Sequence, residues 1–178
     1  MINRDSPEYI KSWAEFHFLP RSIAALKILK QNLFKTFIVS NQSAINRGMI
    51  SLSGLNHIHS KMKAEIEAGG GSIQDIFFCP HIPQNHCSCR KPKPGLLFSA
   101  QKKYQLTLSN AYLVGDSAKD IECATHAGCG SAILVKTGDF TEAKRTLSEK
   151  NIAPAYIARD LFDAVDWIIQ RPIHPINA

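Results

Sequence analysis

The chain has 178 residues, 44% apolar and 20% charged, which suits one soluble globular domain over residues 1–178 and excludes collagen-like, mucin-like and wholly disordered classes. No apolar run approaches the roughly 20 residues of a membrane helix, and the opening Met1-Ile2-Asn3-Arg4-Asp5-Ser6-Pro7 lacks the apolar core of a signal peptide, so a cytoplasmic protein with no membrane partner is expected. The net charge of +6 and pI near 9.1 suit an anionic partner, and the absence of a basic stripe interleaved with aromatics favours a small phosphorylated ligand over nucleic acid.

In chain order, residues 22–31 (SIAALKILKQ) carry apolar positions at helical spacing. Residues 33–39 (LFKTFIV) read as a buried strand ending at Ser40-Asn41. Residues 51–68 read as a helix stopped by Gly69-Gly70-Gly71. Residues 73–78 (IQDIFF) predict a second strand, and the proline-rich 79–94 an irregular loop. A helix over 95–104, a strand over 111–115 (AYLVG), a helix over 117–127 and a strand over 131–135 (SAILV) follow. Residues 138–150 are polar with no decisive pattern. A short strand at 155–158 and a helix over 160–170, with Trp167 on its apolar face, close the series. This alternation predicts an α/β fold with a parallel sheet. Ligands bind such sheets at the carboxyl ends of the strands, which points to Ser40-Asn41, the loop after Phe78, and Asp116.

Five cysteines argue against a closed disulfide framework. Cys123 and Cys129 read as buried thiols. Cys79, His81, Cys87 and Cys89 supply three thiolates and an imidazole on one short loop, the donor set of a closed, structural zinc site. Their C-x-H and C-x-C spacings are tighter than usual. His86 is a rival to His81, unliganded reduced cysteines are the plainer alternative, and iron is the rival metal. Such a metal pins a loop with little core of its own.

Val114-Gly115-Asp116 places a carboxylate where the chain leaves the sheet, a position suited to Mg²⁺, which prefers oxygen ligands. Asp116 has a second reading as a helix N-cap, and Asp120 reads as a capping or supporting residue. Ser40 and Asn41 offer donors that can cradle phosphate, or simply turn chemistry. Arg90 and Lys91, a planar fork and a compact charge beside the cysteines, suit a phosphate.

Val39-Ser40-Asn41-Gln42-Ser43 with Asn46-Arg47-Gly48, then Cys79-Pro-His81 … Cys87-x-Cys89-Arg90-Lys91-Pro92-x-Pro94-Gly95, then Val114-Gly115-Asp116, resembles the haloacid dehalogenase (HAD) superfamily. Within it the resemblance is to the D-glycero-D-manno-heptose 1,7-bisphosphate 7-phosphatase and histidinol-phosphate phosphatase family, over roughly residues 2 to 170. The resemblance implies a Rossmann-like parallel sheet with a small zinc loop at 79–94, and Mg²⁺-dependent hydrolysis of a phosphate monoester. The substrate implied is the 7-phosphate of a heptose bisphosphate, a lipopolysaccharide precursor, and the expected working unit is a monomer. Carried over residue by residue, Ser40 holds the transferred phosphoryl group and Lys91 offsets its charge. Asp5, Asn41, Gln42, Ser43, Arg90 and Lys91 contact substrate, Asp116 ligates Mg²⁺, and Cys79, His81, Cys87 and Cys89 hold Zn²⁺. Asp5 to Tyr9 match the segment that closes over the sugar.

One departure matters. The family's central first strand ends in Asp-x-Asp-Gly, immediately before the residues matching Ile2-Asn3, and supplies the aspartyl nucleophile and the general acid. Neither carboxylate, nor the strand, is in this chain. Position 1 matches an apolar Val or Ile, and a GTG valine codon can be mistaken for a start, so a longer polypeptide is expected. Without the middle strand, two facing edges would carry unpaired backbone groups at about 1–3 kcal/mol each, unless strands 33–39 and 111–115 paired directly. The alternatives are a histidinol-phosphate phosphatase, and a catalytically dead zinc-containing homologue that still binds phosphorylated sugars.

Overall fold

Parallel neighbours need crossover connections of a dozen or more residues, and the amphipathic stretches supply them. The computed structural model describes residues 1–171, which form two parallel sheets and divide into two compact units, Ile2–Arg90 and Lys91 onward with Met1.

The first unit holds α1 (Ser22–Gln31), β1 (Phe37–Asn41), α2 (Leu52–Ala68) and β2 (Asp75–Cys79). α1 buries Ala25, Leu26 and Leu29, and α2 buries Leu55, Ile58, Met62 and Ile66, each set at helical spacing. The Ser51 hydroxyl accepts from Gly54 N–H at 3.0 Å and caps α2. β1 and β2 run in register, with Ser40 beside Phe78 and Asn41 beside Cys79. The expected strand start at residue 33 is corrected. Leu33 stands at φ 62° and is 85% exposed. The Phe34 N–H reaches back to Leu29 O at 2.9 Å and closes the end of α1. Residues 2–4 pair with 17–19 through an Asn3–Phe18 bridge, Arg4 N–H to His17 O and Leu19 N–H to Ile2 O.

The second unit orders its sheet β3 (Tyr112–Gly115), β4 (Ser131–Val135), β5 (Tyr156–Ala158). Its helices are α3 (Gly95–Tyr104), α4 (Ala118–Ala127), α5 (Phe140–Glu149) and α6 (Leu161–Ile169). The undecided 138–150 segment is helical because Ala143 and Leu147, four apart, bury against Ala118, Ile121 and Leu134. The Asp139 carboxylate caps it by accepting from Glu142 N–H. Trp167 is half-buried and stacks on Tyr156 at 5.2 Å. Within the first unit β1 pairs with β2, and within the second β3 pairs with β4.

Candidate active site and metal-binding loop

The second unit gathers charge where β3 ends. Asp116 follows Gly115, and Gly138 passes so close that a Cβ there would lie 2.7 Å from Asp116 O. The Asp116 carboxylate accepts from the Met1 ammonium at 2.5 Å, with the Asp116 side chain 29% exposed. Its second reading, as the cap of α4, is not what forms. Ser117 takes that position, and its N–H and hydroxyl donate to Asp120 Oδ2 at 3.1 and 2.8 Å. Asp120 turns inward across Gly115, where any Cβ would stand 2.2 Å from Asp120 Cβ. Lys91 Nζ lies 2.5 Å from Asp120 Oδ1, and both side chains are nearly buried. Burial pushes the Asp120 carboxyl up, but Lys91 and Ser117 outweigh it and hold it below the usual carboxylate range. The Pro92-Lys93 segment is tied to α4, with Pro92 O 3.1 Å from His126 Nδ1 and Lys93 O accepting from Cys123 Sγ at 3.5 Å. Of the two expected buried thiols, Cys123 is fully buried and Cys129 half-buried; burial pushes them up to about 12 and about 11.

In the first unit, Ser40 and Asn41 are the last residues of β1. Gln42 Nε2 donates to Ser40 Oγ at 3.0 Å, and Gln42 N–H donates to Cys79 O at 2.7 Å. Ser43 is buried, and its hydroxyl donates to the Tyr9 phenol at 3.4 Å. Asp5 is exposed and its carboxylate accepts from Ser6 N–H at 2.9 Å. Tyr9, four residues on, is therefore what meets Ser43. The Ser43 hydroxyl, then Arg47 and Arg90, hold the Tyr9 phenol below its usual value.

The candidate metal ligands lie in the same unit. Cys79 is the last residue of β2, in register with Asn41, so the loop is rooted beside the Ser40-Asn41 strand end. Cys79, His81, Cys87 and Cys89 offer ligand atoms all within 4.8 Å of one another, and His86 is not among them. The sulfurs are 3.6, 3.5 and 3.2 Å apart, and His81 Nδ1 lies 3.5 and 3.4 Å from Cys79 and Cys89 Sγ. Tetrahedral zinc, with bonds of about 2.0–2.3 Å, sets donor separations of about 3.5–3.8 Å, so this group fits the ion with little adjustment. Burial pushes Cys89 up to about 12. Burial also raises Cys87, but backbone donation from Arg90 and the neighbouring thiols reverse this and bring it to about 6. Arg90 Nη1 donates to His81 O at 3.0 Å, which ties its guanidinium to the loop.

The contact of Asp120 with Lys91 spans 29 residues and is not foreseeable from local pattern. The Ser117-x-x-Asp120 capping spacing was its one visible sign. Tyr9 and Arg47 carried no signal of their own beyond lying in matched segments.

A family model described as HAD-hydrolase-like matches residues 88–164. A D-glycero-beta-D-manno-heptose-1,7-bisphosphate 7-phosphatase of Bordetella bronchiseptica is 34% identical over 171 residues, 96% of this chain and 93% of that protein. One from Pseudomonas putida is 37% identical over 165 residues, 93% and 91% of the two chains. The crystal structure of the D,D-heptose 1,7-bisphosphate phosphatase from B. bronchiseptica, complexed with magnesium and phosphate, superposes with a TM-score of 0.87 at 34% identity, covering 96% of this chain and 93% of that one. With its parallel α/β sheets, the Lys91–Asp120 pair beside Asp116 and end-to-end similarity of this extent, the chain belongs to the heptose-1,7-bisphosphate 7-phosphatase family of HAD-like hydrolases.

Proposed function

We propose that this protein removes the 7-phosphate of D-glycero-D-manno-heptose 1,7-bisphosphate in a Mg²⁺-dependent reaction, in the cytoplasm, on the route to lipopolysaccharide heptose. The observation that carries this reading is the buried Lys91–Asp120 pair packed across Gly115 from Asp116, at the carboxyl end of β3. Asp116 suits Mg²⁺, which takes one or two carboxylates and otherwise keeps water and phosphate oxygens. When bound there, the ion neutralises phosphate charge. A relative's structure with magnesium and phosphate supports this assignment.

In this reading Ser40 donates its hydroxyl to the transferred phosphoryl group, and Gln42, bonded to Ser40, keeps that hydroxyl oriented. Lys91 balances phosphoryl charge, and Asp120 fixes its ammonium. Asn41, Ser43, Arg90 and Asp5 face the sugar phosphate, and Zn²⁺ in the four-ligand loop keeps Arg90 in place.

Covalent phosphoryl transfer also needs a nucleophile and an acid. The 178 residues contain no Asp-x-Asp-Gly, the motif to which the family resemblance assigns both roles. The same absence favours a second reading, a zinc-containing homologue that binds phosphorylated sugars without turnover.

The test is phosphate release from heptose 1,7-bisphosphate and from histidinol phosphate. It is run with the 178-residue chain and with a chain carrying an apolar strand and Asp-x-Asp-Gly ahead of Met1. Activity only in the extended chain, and preferentially on the heptose, supports the proposal. Turnover by the 178 residues alone removes the need for the motif. Binding without turnover by both establishes the second reading, and equal rates on the two substrates remove the heptose assignment.

A further inference from the structure

β3 and β4 are parallel neighbours, with Gly115 beside Leu134, so the residues that follow them emerge at the same end of the sheet. From β3 comes Asp116, and from β4 the turn Lys136-Thr137-Gly138-Asp139. That turn is tied down at three points. Lys136 N–H donates to Ala158 O at 3.0 Å, Phe140 N–H donates to Gly138 O at 2.9 Å, and the Asp139 carboxylate accepts from Glu142 N–H at 3.0 Å.

Gly138 is where the turn meets Asp116. A Cβ there would lie 2.7 Å from Asp116 O, 3.1 Å from Asp116 Cβ and 3.4 Å from Asp116 Cγ. Gly138 does not occupy the left-handed region, unlike Gly48, Gly70 and Gly128, so what it supplies is close approach rather than an unusual backbone angle. Along the chain, Gly115 does the same for Asp120, which a Cβ at 115 would meet at 2.2 Å, and Asp120 is held by Lys91. Asp116 thus stands between two contacts without slack. A methyl group at 138 forces a shift of several tenths of an ångström, and because the turn is bonded on both sides the shift falls on Asp116. Binding sites hold their geometry only within about 0.5 Å.

We propose that Gly138 is a positioning residue for the Mg²⁺ site: its lack of a side chain lets the turn after β4 press on Asp116 and fix the carboxylate in the orientation that the metal takes. The inference rests on the assignment of Mg²⁺ to Asp116 made above and deepens it. Gly138 acts through Asp116 alone.

Mn²⁺ shares the oxygen preference of Mg²⁺ and is read by electron paramagnetic resonance. It is titrated into the 178-residue chain and the extended chain, with Mg²⁺ as competitor. Asp116→Asn should abolish saturable uptake. Gly138→Ala should weaken Mn²⁺ about 10- to 100-fold, the loss typical of disturbing a group that orients a metal ligand, and Gly138→Val should weaken it further. In the extended chain the Mg²⁺ needed for half-maximal phosphate release should rise by the same factor, with the rate recovered at saturating metal. Two helix-cap variants separate positioning from a general loss of stability, and they decide the matter should Gly138→Ala not fold. Asp139→Ala removes the cap that ties the turn to α5. Gly128→Ala strains the left-handed end of α4, where an added Cβ meets nothing within 4 Å. Both should lower the melting temperature, but only Asp139→Ala should weaken Mn²⁺. An affinity of Gly138→Ala within about twofold of wild type, or equal shifts in the two cap variants, overturns the inference and leaves the metal reading to Asp116→Asn. Uptake that survives Asp116→Asn, or no uptake by either wild-type chain, overturns the metal assignment and the inference with it.

Discussion

Lys91 and Asp120 are 13% and 8% exposed, and at that burial each is costly to leave alone. Asp120→Asn keeps the shape but removes the counter-charge, and breaking a buried pair costs about 3–5 kcal/mol. A denaturant titration at neutral pH reads this loss. The pH dependence follows from the direction of the shift. The folded Asp120 carboxyl lies below its unfolded value. Its contribution is therefore complete above the ordinary carboxylate pKa of about 4 and is lost as pH falls through the lower folded value. Wild type should lose stability across that acidic window, and Asp120→Asn should show a flatter slope there. Parallel slopes would mean that the pair contributes nothing that titrates. Legibility divides at this scale. Asp116, Ser40, Lys91 and the four loop ligands stand out by residue type and neighbours in sequence. The partners that hold them do not. Tyr9 meets Ser43 across 34 residues and Met1 meets Asp116 across 115, and no local pattern encodes such pairings.

Among elements, the 79–94 loop has the least support from its own core. Beyond Cys79 at its root, its residues are half-buried or exposed, and its regular structure is a single turn at Pro83–Asn85. A metal bound there would supply what burial does not. Cys87→Ser with Cys89→Ser should abolish zinc by elemental analysis and open this loop to limited proteolysis. Strong chelators should reproduce the effect on wild type. A double variant that keeps its metal would show that the ligands lie elsewhere. The helices were legible to differing degrees for a physical reason. α1 and α2 bury several apolar residues at 3–4 spacing, which sequence displays directly. α5 buries Ala143 and Leu147 alone in ten residues, so a pattern that thin is visible only once β4 and α4 provide the surface. Leu33 misled in the opposite sense. An apolar run suggested a strand, but a helix terminus claimed its first residues.

For the whole molecule, a net charge of +6 creates a long-range field that favours the approach of an anionic sugar phosphate. Raising ionic strength from 0.01 to 0.15 M shortens the Debye length from about 30 to about 8 Å. The association rate of heptose 1,7-bisphosphate, followed by stopped flow, should therefore fall, while that of an uncharged heptose stays constant. A salt-independent rate would assign recognition to short-range contacts alone. By itself the sequence determined the α/β class, the order of strands and helices, the cysteine–histidine loop and the carboxylate after β3. Each of these is carried by residues close together in the chain, through hydrophobic period, turn chemistry or ligand type. Only the tertiary structure decided that Asp120 is the counter-charge of Lys91, that His81 rather than His86 lies with the three cysteine sulfurs, and that Tyr9 meets both Ser43 and Arg47. The first and last are contacts between distant segments and the second is set by the backbone path of a short loop, neither of which composition and periodicity specify.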